Sequence, residues 1–415
     1  MLNLITKNPQ SHQSILDEIA RQGAVQMLVN ALQREVSEYV ADHASEVDSN
    51  GHRLVTRNGK GQPRKITFGS GQVEIQAPRV NDRRDGQKFT SMILPPYLRK
   101  SPNIESLLPV LYLRGLSTGD FREALSSILG EGARGLSPGS IVSLKRSWEK
   151  EFDDWRKLPV TERFVYVWAD GVNVKIRIGE DKRLCLLVIV GVTETGEKRL
   201  LAVEPGYRES ADSWKSVLKS LTDRGMQAPL LAVADGALGF WSALEDLKIF
   251  QDTKKGRCWV HKIANVLNCF PKRLQGQVKS LLHDMMYSET KSDANMSRKR
   301  FAHLYHEKYP KGVDKLEKDW RELTAFFDFP ASHWQSIRTT NPIESTFATV
   351  KLRTKVTKGA GSEKAASAMA FKLLLEAQKK WRRIRKPEAA QDLLRGVVFR
   401  DGVVLHSLQN QEGVA

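Results

Sequence analysis

The spacing of hydrophobic residues predicts a long helical stretch near the start of the chain. Between residues 13 and 41, apolar side chains recur at the period of one helix face. Gly23 interrupts the pattern, so we predict that the helix breaks there. The apolar face suits either packing within the chain or self-association.

A short alternating pattern follows and predicts a β-hairpin. Residues 66–68 and 73–75 alternate apolar and polar side chains on either side of a Gly-Ser-Gly turn. The stretches on either side of this hairpin, 50–65 and 79–88, are rich in charge and lack apolar periodicity. We therefore predict loops there, the first of them basic and mobile.

Three short helical patterns lie between residues 101 and 158 and suggest a helix-turn-helix unit. Ser137 and Pro138 open the third helix, because serine favours the N-cap and proline the first helical position. Ile141, Val142 and Leu144 are predicted to face inward. A helical linker bundle is the open alternative. The residues predicted to lie mostly outward, and to contact DNA if the unit binds it, are Ser140, Ser143, Lys145 and Arg146.

From residue 163 onward the pattern changes to β-β-β-α-β-α-β, which predicts a mixed α/β domain. Residues 262–335 offer only helical patterns. Two more helices are predicted, one starting at Pro342 and one over 363–383 that ends in a basic run. The predicted strands are 163–169, 174–178 together with 184–192, 198–204, 229–234 and 257–260, and the predicted helices between them are 211–224 and 237–247.

Three carboxylates stand where the chain leaves buried secondary structure. Asp170 and Asp235 each follow an apolar run and precede a glycine, and Glu344 opens a helix. Each has a structural alternative. The aspartates could be turn formers, and Glu344 could complete a capping box with Asn341 as N-cap and Pro342 at the first helical position.

In combination the three carboxylates favour a metal site. In a sheet with ribonuclease H-like strand order, the strands that lead to Asp170 and Asp235 are neighbours, and a helix carrying Glu344 could lie at the same edge. Converging carboxylates hold divalent cations, and two such cations can drive phosphoryl transfer. Lys351 and Lys355 extend the Glu344 face of the helix and could lie beside a phosphate backbone, or be solvated charges.

The composition of the chain limits which class of partner it binds and which cellular compartment it suits. The chain has 415 residues and a formal net charge of +17, which modestly favours a nucleic acid partner. Its 3 cysteines are too few for a disulfide framework, which fits a reducing cytoplasm. The N-terminus lacks a signal-peptide pattern, and the longest apolar run, 184–190, is too short to cross a membrane. The glycine-rich segment 359–362 is not a Walker loop, so ATP is not implied.

Cys258 and His261 have the spacing of a metal-binding pair, but a structural zinc site needs four ligands. Cys269 and His283 would have to complete it at unusual spacing, so we do not favour zinc. Two interpretations of His261 stay open. It could lie near the carboxylates and touch the scissile phosphate, or it could be a hydrogen-bonded core histidine.

Several segments together make the chain resemble the mutator-type transposases of bacterial insertion sequences. The resemblance covers about residues 12–400, and its specificity comes from the combination of motifs. The motifs are Trp168-Ala169-Asp170-Gly171-Val172, Ala234-Asp235-Gly236-Ala237, Cys258-Trp259-Val260-His261-Lys262, Asn341-Pro342-Ile343-Glu344-Ser345 and, more weakly, Leu111-Tyr112-Leu113-Arg114-Gly115-Leu116-Ser117.

The resemblance implies a divalent-metal-dependent Asp-Asp-Glu transposase. Its triad maps onto Asp170, Asp235 and Glu344, which would bind two Mg²⁺ or Mn²⁺ ions, with His261 as a further catalytic candidate. It would cleave double-stranded DNA at terminal inverted repeats and transfer strands into target DNA. We expect a homodimer or higher homo-oligomer that acts at the bacterial nucleoid in the cytoplasm, without a membrane or ATP.

The resemblance also implies the fold class, an α/β catalytic core with a ribonuclease H-like mixed sheet, interrupted by an all-α insertion. A mainly α N-terminal region with a small β-hairpin would bind DNA. A second group of expected DNA contacts is the basic run Lys379, Lys380, Arg382 and Arg383. The expected domains are 1–100 for DNA binding or self-association, 101–158 as helix-turn-helix, 159–261 and 336–400 as the two parts of the core, 262–335 as insertion and 401–415 as tail.

Two rival functions fit the same fold. A DNA-binding regulator derived from a transposase would keep the N-terminal helices without catalysis, although the intact triad argues against it. A structure-selective nuclease would cleave DNA without strand transfer. Metal-dependent nicking and target-joining assays separate these three functions.

Overall fold

The computed structural model describes residues 9–68, 71–96, 98, 138–176, 183–206, 210–236, 238–356 and 360–405. The chain forms two compact units, Met1–Leu144 and Lys145–Ala415. Most of the predicted helix-turn-helix, residues 101–137, lies outside the described residues, so that assignment stays a prediction.

The first unit is built on one continuous helix, α1 (Pro9–Asp42). The predicted break at Gly23 is wrong, because the helix runs through this residue. A glycine weakens a helix but does not interrupt its hydrogen bonds, and packing further along holds α1 in place. Its Leu32 joins a buried cluster with Ile66 and Val73 of the hairpin.

The hairpin is confirmed, and two further strands lie beside it in the chain. β2 (Arg64–Phe68) pairs antiparallel with β3 (Gly71–Ile75). The predicted loops at 50–65 and 79–88 are wrong in part, because β1 (Val55–Lys60) and β4 (Pro78–Asp82) form an antiparallel pair. The chain buries only Val55 of β1, so this strand carries no alternating apolar signal in its sequence.

The second unit contains a five-stranded mixed sheet in the order β7-β6-β5-β8-β9. The first three strands in the chain, β5 to β7, pair antiparallel, whereas β8 and β9 run parallel to β5. The predicted mixed sheet and its element order are confirmed. The strands are β5 (Phe164–Lys175), β6 (Arg183–Thr193), β7 (Lys198–Gly206), β8 (Leu231–Ala234) and β9 (Lys254–Arg257).

Two strands differ from the prediction. β5 is a single strand of 12 residues, although two strands were predicted at 163–169 and 174–178. Its second half keeps pairing with β6 beyond the end of β8, which holds the strand together through Gly171. β9 ends at Arg257, and the apolar residues after it start a helix instead of continuing the strand predicted over 257–260.

Helices cover the sheet of the second unit and make up the segment between β9 and the last helices. Residues 259–337 contain α-helices and short 3₁₀ turns. The helices are α2 (Pro138–Trp155), α3 (Ala211–Asp223), α4 (Leu238–Asp246), α5 (Trp259–Leu267), α6 (Lys272–Met286), α7 (Lys291–Tyr305), α8 (Pro310–Glu317), α9 (Trp320–Leu323), α10 (Trp334–Ile337), α11 (Asn341–Val356), α12 (Glu363–Gln378) and α13 (Glu388–Leu394). A small antiparallel pair, β10 (Phe399–Arg400) with β11 (Val403–Val404), follows.

Buried residues on one face of the sheet form the main core. α3 packs against β7 and α4 and buries Trp214, Val217, Leu218 and Leu221. This apolar stripe at helical spacing is the pattern that predicted the helix. Within the described residues, no helix combines the length and the apolar character that crossing a membrane requires.

Helix α2 begins at Pro138 as predicted, but part of its predicted inner face is wrong. Val142 is 48% exposed, whereas Ser143 and Arg146 are exposed as expected. The side chains of Ser140 and Ile141 lie outside the described part of the chain. Further along the helix, Trp148 and Phe152 are buried, and the helix ends at Trp155.

The continuous course of α1 generates a prediction at Gly23. An added Cβ would have no neighbour within 4 Å. Gly23→Ala should therefore raise the free energy of unfolding by about 0.5–1 kcal/mol, because alanine lowers the conformational entropy of the unfolded chain. Chemical denaturation followed by helix circular dichroism measures the change. Gly51 is the matched control, since it is equally open but has a φ of +81°, and Gly51→Ala should destabilise by about 1 kcal/mol. A destabilising Gly23→Ala would contradict a continuous helix.

Candidate active site

The parallel pairing of β5 with β8 brings two aspartates to neighbouring positions. Its last paired residues are Ala169 and Ala234, and an aspartate directly follows each. Asp170 still belongs to β5, where it pairs with Val188, so the prediction that it ends a strand is wrong. Asp235 does follow the last residue of β8. Because parallel strands keep their register, the two aspartates leave adjacent backbone positions.

The side chain of Asp170 lies on the sheet face opposite to the main core. Alternate strand residues share a face, so Asp170 points to the same side as Tyr166 and Trp168. The Tyr166 hydroxyl is 2.7 Å from His333 Nδ1, and Trp168 Nε1 donates to the carbonyl of Ser336 at 3.2 Å. Helix α11 also packs against β5. The 8% exposed Asp170 therefore lies on the side of the sheet that carries α11.

The two Ala-Asp-Gly segments use their glycines differently. Gly171 continues β5, and its N–H donates to Asp170 Oδ1 at 2.8 Å. Gly236 has a φ of +89°, and an added Cβ would lie 1.5 Å from Arg257 Nη1. The side chain of Arg257 is only 7% exposed, and its Nε is 3.2 Å from Asp319 Oδ2. Of the two segments, only the one with Gly236 is a tight turn, and the buried guanidinium of Arg257 packs directly against this glycine.

Glu344 lies in the first turn of α11, and the structural alternative, a capping box with Asn341 as N-cap, is wrong. The helix begins at Asn341, which therefore is not the N-cap. The carbonyl oxygen of Thr340 accepts the first hydrogen bonds of the helix, from the N–H groups of Ile343 and Glu344, both at 3.0 Å. The Thr340 hydroxyl donates to Glu344 Oε1. Thr340 thus flanks the helix and touches the carboxylate directly.

The start of α5 brings Cys258 and His261 to Glu344. The N–H of Cys258 donates to the carbonyl of Ala234 at 2.9 Å, next to Asp235 in the chain. His261 Nδ1 is 3.7 Å from Glu344 Oε1. Ligand atoms of Cys258, His261 and Glu344 all lie within 4.8 Å of one another. His261 is therefore near the predicted triad, and its predicted place beside the carboxylates fits better than a core position.

The charges around His261 favour its protonated form. The neighbouring Cys258 sulfur raises the pKa of His261 most, the negative charges of Glu344 and Asp235 add to this effect, and burial opposes it, so that the pKa is about 9. Burial raises the pKa of Cys258, but the interactions with His261 and Thr340 outweigh it and lower that pKa. At neutral pH the site thus pairs carboxylates with an imidazolium.

The donor set at this edge suits a hard divalent cation. The three carboxylates Asp170, Asp235 and Glu344 offer oxygen ligands, which Mg²⁺ and Mn²⁺ prefer. His261 Nδ1 is shielded from solvent and lies 3.7 Å from Glu344 Oε1, and as an imidazolium it is a hydrogen-bond donor rather than a metal ligand. The residues therefore fit the predicted metal class.

A structural zinc site fits less well. Within the described chain, the cluster of Cys258, His261 and Glu344 has one ligand fewer than such a site needs. Cys269 and His283 do not complete it. The thiol of Cys269 donates to the carbonyl of Asn265 at 3.7 Å, and the ring of His283 stacks edge-on against a tyrosine.

The basic residues predicted to contact DNA are mostly exposed. Lys351 is exposed on α11 two turns after Glu344, whereas the side chain of Lys355 lies outside the described part. Helix α12 ends at Gln378, so the basic run follows the helix, and the predicted helical ending is wrong. Within this run, Lys379 pairs with Glu376 and Arg383 with Glu197. Lys380 and Arg382 are exposed and form no ion pair within the described residues.

Two residues that contact the candidate site, Thr340 and Arg257, were not among the site residues predicted from the sequence. Thr340 directly precedes the helix that carries Glu344, and a threonine before a helical pattern is a recognisable N-cap signal. Arg257 carried no such signal. Its role depends on the φ of Gly236 and on an ion pair with a residue far along the chain, neither of which spacing reveals.

The sequence of the chain matches a known protein family and several of its members. The family model described as "Transposase, Mutator family" matches residues 2–384. The transposase for insertion sequence element IS6120 of Mycolicibacterium smegmatis is 45% identical over 304 residues, 73% of this chain and 93% of that protein. The transposase for element IST2 of Acidithiobacillus ferrooxidans is 45% identical over 283 residues, 68% and 95% of the two chains. The transposase for element IS256 in Tn4001 of Staphylococcus aureus is 22% identical over 377 residues, 89% and 92%.

The turn after Asp235 generates a stability prediction. Gly236→Ala should lower the free energy of unfolding by at least about 2 kcal/mol, because it combines a left-handed φ with a clash against Arg257. Denaturant titration measures the loss. In an Arg257→Ala background the clash disappears and only the backbone cost of about 1–2 kcal/mol should remain.

Gly276 in α6 is the matched control, since an added Cβ there meets nothing within 4 Å and the helix is regular. Gly276→Ala should be neutral or stabilising. An equal cost of Gly236→Ala with and without Arg257 would show that the guanidinium does not restrict this turn.

Proposed function

The chain belongs to the Mutator family of transposases, and we propose that it cuts DNA at the terminal inverted repeats of an insertion sequence and transfers the cut ends into target DNA. The observation that carries the proposal is the adjacency of Asp170 and Asp235 on neighbouring parallel strands, together with the position of Glu344 close to His261. The pKa of His261 also responds to Asp235.

We propose the sheet as a ribonuclease H-like catalytic core. Three antiparallel strands followed by two parallel ones, in the order β7-β6-β5-β8-β9, support this assignment. The helices of residues 259–337 then form an all-α insertion between the second and third carboxylates. Such an insertion does not interrupt any strand of the sheet, because it begins after β9 and ends before α11. The N–H of Trp259 donates a hydrogen bond to the carbonyl of Arg338 at 3.0 Å, which joins the start and the end of this insertion.

In this proposal Asp170, Asp235 and Glu344 hold two Mg²⁺ or Mn²⁺ ions. Bound ions would lower the pKa of the attacking water or 3′-hydroxyl and stabilise the leaving oxygen. Asp170 is held by its bond from Gly171 and by burial, so its carboxylate is fixed before DNA arrives. The imidazolium of His261 has a partly exposed side chain and can donate to a phosphate oxygen.

The proposed DNA contacts lie in the N-terminal region and, separately, at the exposed basic residues Lys351, Lys380 and Arg382 of the second unit. The net charge of +17 supports attraction to a polyanion. Inverted repeats would be read by the N-terminal helices, with Ser143 and Arg146 exposed for contact. We further propose a homodimer or larger homo-oligomer that needs no ATP and acts on DNA in the bacterial nucleoid.

Isosteric loss of each carboxylate tests the catalytic proposal. Asp170→Asn, Asp235→Asn and Glu344→Gln should each lower cleavage and strand transfer at least about a hundred-fold, since even residues around metal ligands account for about 10–100-fold. Binding to inverted-repeat DNA should stay near the wild-type level. Gel assays of nicking and joining in Mg²⁺, beside filter binding, measure both.

Asp246→Asn is a matched control, because this carboxylate is half-exposed on α4 and pairs only at the surface with Lys215. It should leave cleavage unchanged. Near-normal cleavage by any one of the three triad variants would remove that residue from the metal site. Specific end binding without cleavage by the wild type would favour the regulator, and cleavage without joining would favour a nuclease.

The exposed basic run generates a salt-dependence prediction. If Lys380 and Arg382 each neutralise one phosphate, the double alanine variant should flatten the slope of log affinity against log salt by about 1.8 on duplex DNA. Preference for inverted-repeat ends should survive, since phosphate contacts carry no direct base information. A salt titration of DNA binding measures the slope.

Alanines at Lys308 and Lys311 remove the same charge from an exposed part of the helical segment and serve as control. An equal change of slope in both double variants would assign the effect to general attraction. An unchanged slope at Lys380 and Arg382 would remove this run from the DNA interface.

A further inference from the structure

A buried thiol links the sheet edge to the start of α11. Cys258 is fully buried directly after β9, and its N–H donates to the carbonyl of Ala234 at 2.9 Å. Ala234 is the last residue of β8 and precedes Asp235. The backbone position of the thiol is thus tied to the strand that carries one triad aspartate.

The same thiol holds the residue that precedes the glutamate helix. Cys258 Sγ accepts a hydrogen bond from the N–H of Thr340 at 3.3 Å, and it lies 3.2 Å from Thr340 Oγ1. Thr340 is fully buried. A hydroxyl has a single proton, so when it donates to a carboxylate, a neighbouring thiol S–H can donate to the hydroxyl oxygen in turn.

The Thr340 hydroxyl also touches the catalytic candidate itself. It donates to Glu344 Oε1, one helical turn further on. An ordinary N-cap oxygen instead accepts from backbone N–H groups of the first turn. Here the Thr340 carbonyl accepts these N–H groups, and the described contacts of the hydroxyl are the thiol and the carboxylate.

We propose that Cys258 and Thr340 are positioning residues, which fix the Glu344 carboxylate relative to Asp235 for metal binding. This inference rests on the proposed function, because Glu344 acts as a metal ligand there. An unbroken series of contacts runs from strand to helix, through the Ala234 carbonyl, Cys258, Thr340 and Glu344. Glutamate has a long, flexible side chain, and a hydroxyl that already holds one oxygen removes conformations in which the metal site is incomplete.

The Thr340 hydroxyl would act on Glu344 in two ways. It orients the carboxylate, and it leaves the second oxygen, Oε2, available to a cation. A ligand that is oriented in advance loses less entropy when the ion binds, so the affinity for the ion rises. Loss of the hydroxyl should therefore appear first as weaker metal binding.

Thr340→Val tests this inference, since valine keeps the shape of the side chain and removes only the hydroxyl. We expect Mn²⁺ binding, measured by calorimetry or by the electron paramagnetic resonance of free Mn²⁺, to weaken about 10–100-fold. Cleavage of inverted-repeat DNA should need correspondingly more Mn²⁺. Affinity for DNA without metal and the thermal midpoint should stay close to wild type.

Thr340→Ser keeps the hydroxyl and should restore Mn²⁺ affinity to near the wild-type value. Cys258→Ala removes the acceptor that holds Thr340 and should weaken Mn²⁺ binding in the same direction as Thr340→Val. In a Glu344→Gln background, Thr340→Val should cause no further loss of Mn²⁺ affinity, because the carboxylate that it positions is already gone.

Two results would overturn the inference. One is wild-type Mn²⁺ affinity in Thr340→Val. The other is a joint loss of metal binding, DNA binding and thermal midpoint in Thr340→Val that Thr340→Ser does not restore, which would make the residue merely structural. Failure of the proposed function looks different, since wild-type protein would then show no metal-dependent cleavage, or Glu344→Gln would bind Mn²⁺ and cleave normally.

Discussion

The pairing register of β5 with β8 is the constraint on which the rest of the site depends. A slip of one residue would turn Asp170 to the opposite face of the sheet and away from α11. The register is fixed by packing on both faces. Val167 and Ala169 face the core against α3 and α4, whereas Tyr166 and Trp168 hold the helical segment on the other side through hydrogen bonds. A misaligned pairing would therefore lose contacts on two sides at once.

The electrostatics of the site favour a cationic partner. Carboxylates that meet at one edge repel each other, and burial of Asp170 removes part of the solvent that would screen them. His261 supplies one positive charge close to Glu344, and the imidazolium is held in that form by its surroundings. A cation adds the charge that remains missing. In the proposed function, a bound divalent cation would supply this charge.

The strands around the candidate site could be predicted from the sequence, but the contacts between its side chains could not. Apolar runs predicted the strands that lead to Asp170 and Asp235, because fully buried strands need continuous hydrophobic residues. The same reasoning missed the continuation of β5 beyond Asp170, since one strand partner remains after the other has ended. It also missed Thr340, whose importance comes from a thiol far along the chain. Periodicity reports which face is buried, and contacts between distant segments leave no local pattern.

The burial of Cys258 has a kinetic consequence. Interactions that lower the pKa of a thiol make it more nucleophilic and more easily oxidised when solvent reaches it. Cys258 has no exposed surface, so oxidants and alkylating reagents reach it only when the seam between β9 and α11 opens. The rate of its modification therefore reports how often this seam opens, and each opening also separates Glu344 from the sheet. The modification rate of Cys258 is thus a chemical measure of how often β9 and α11 separate.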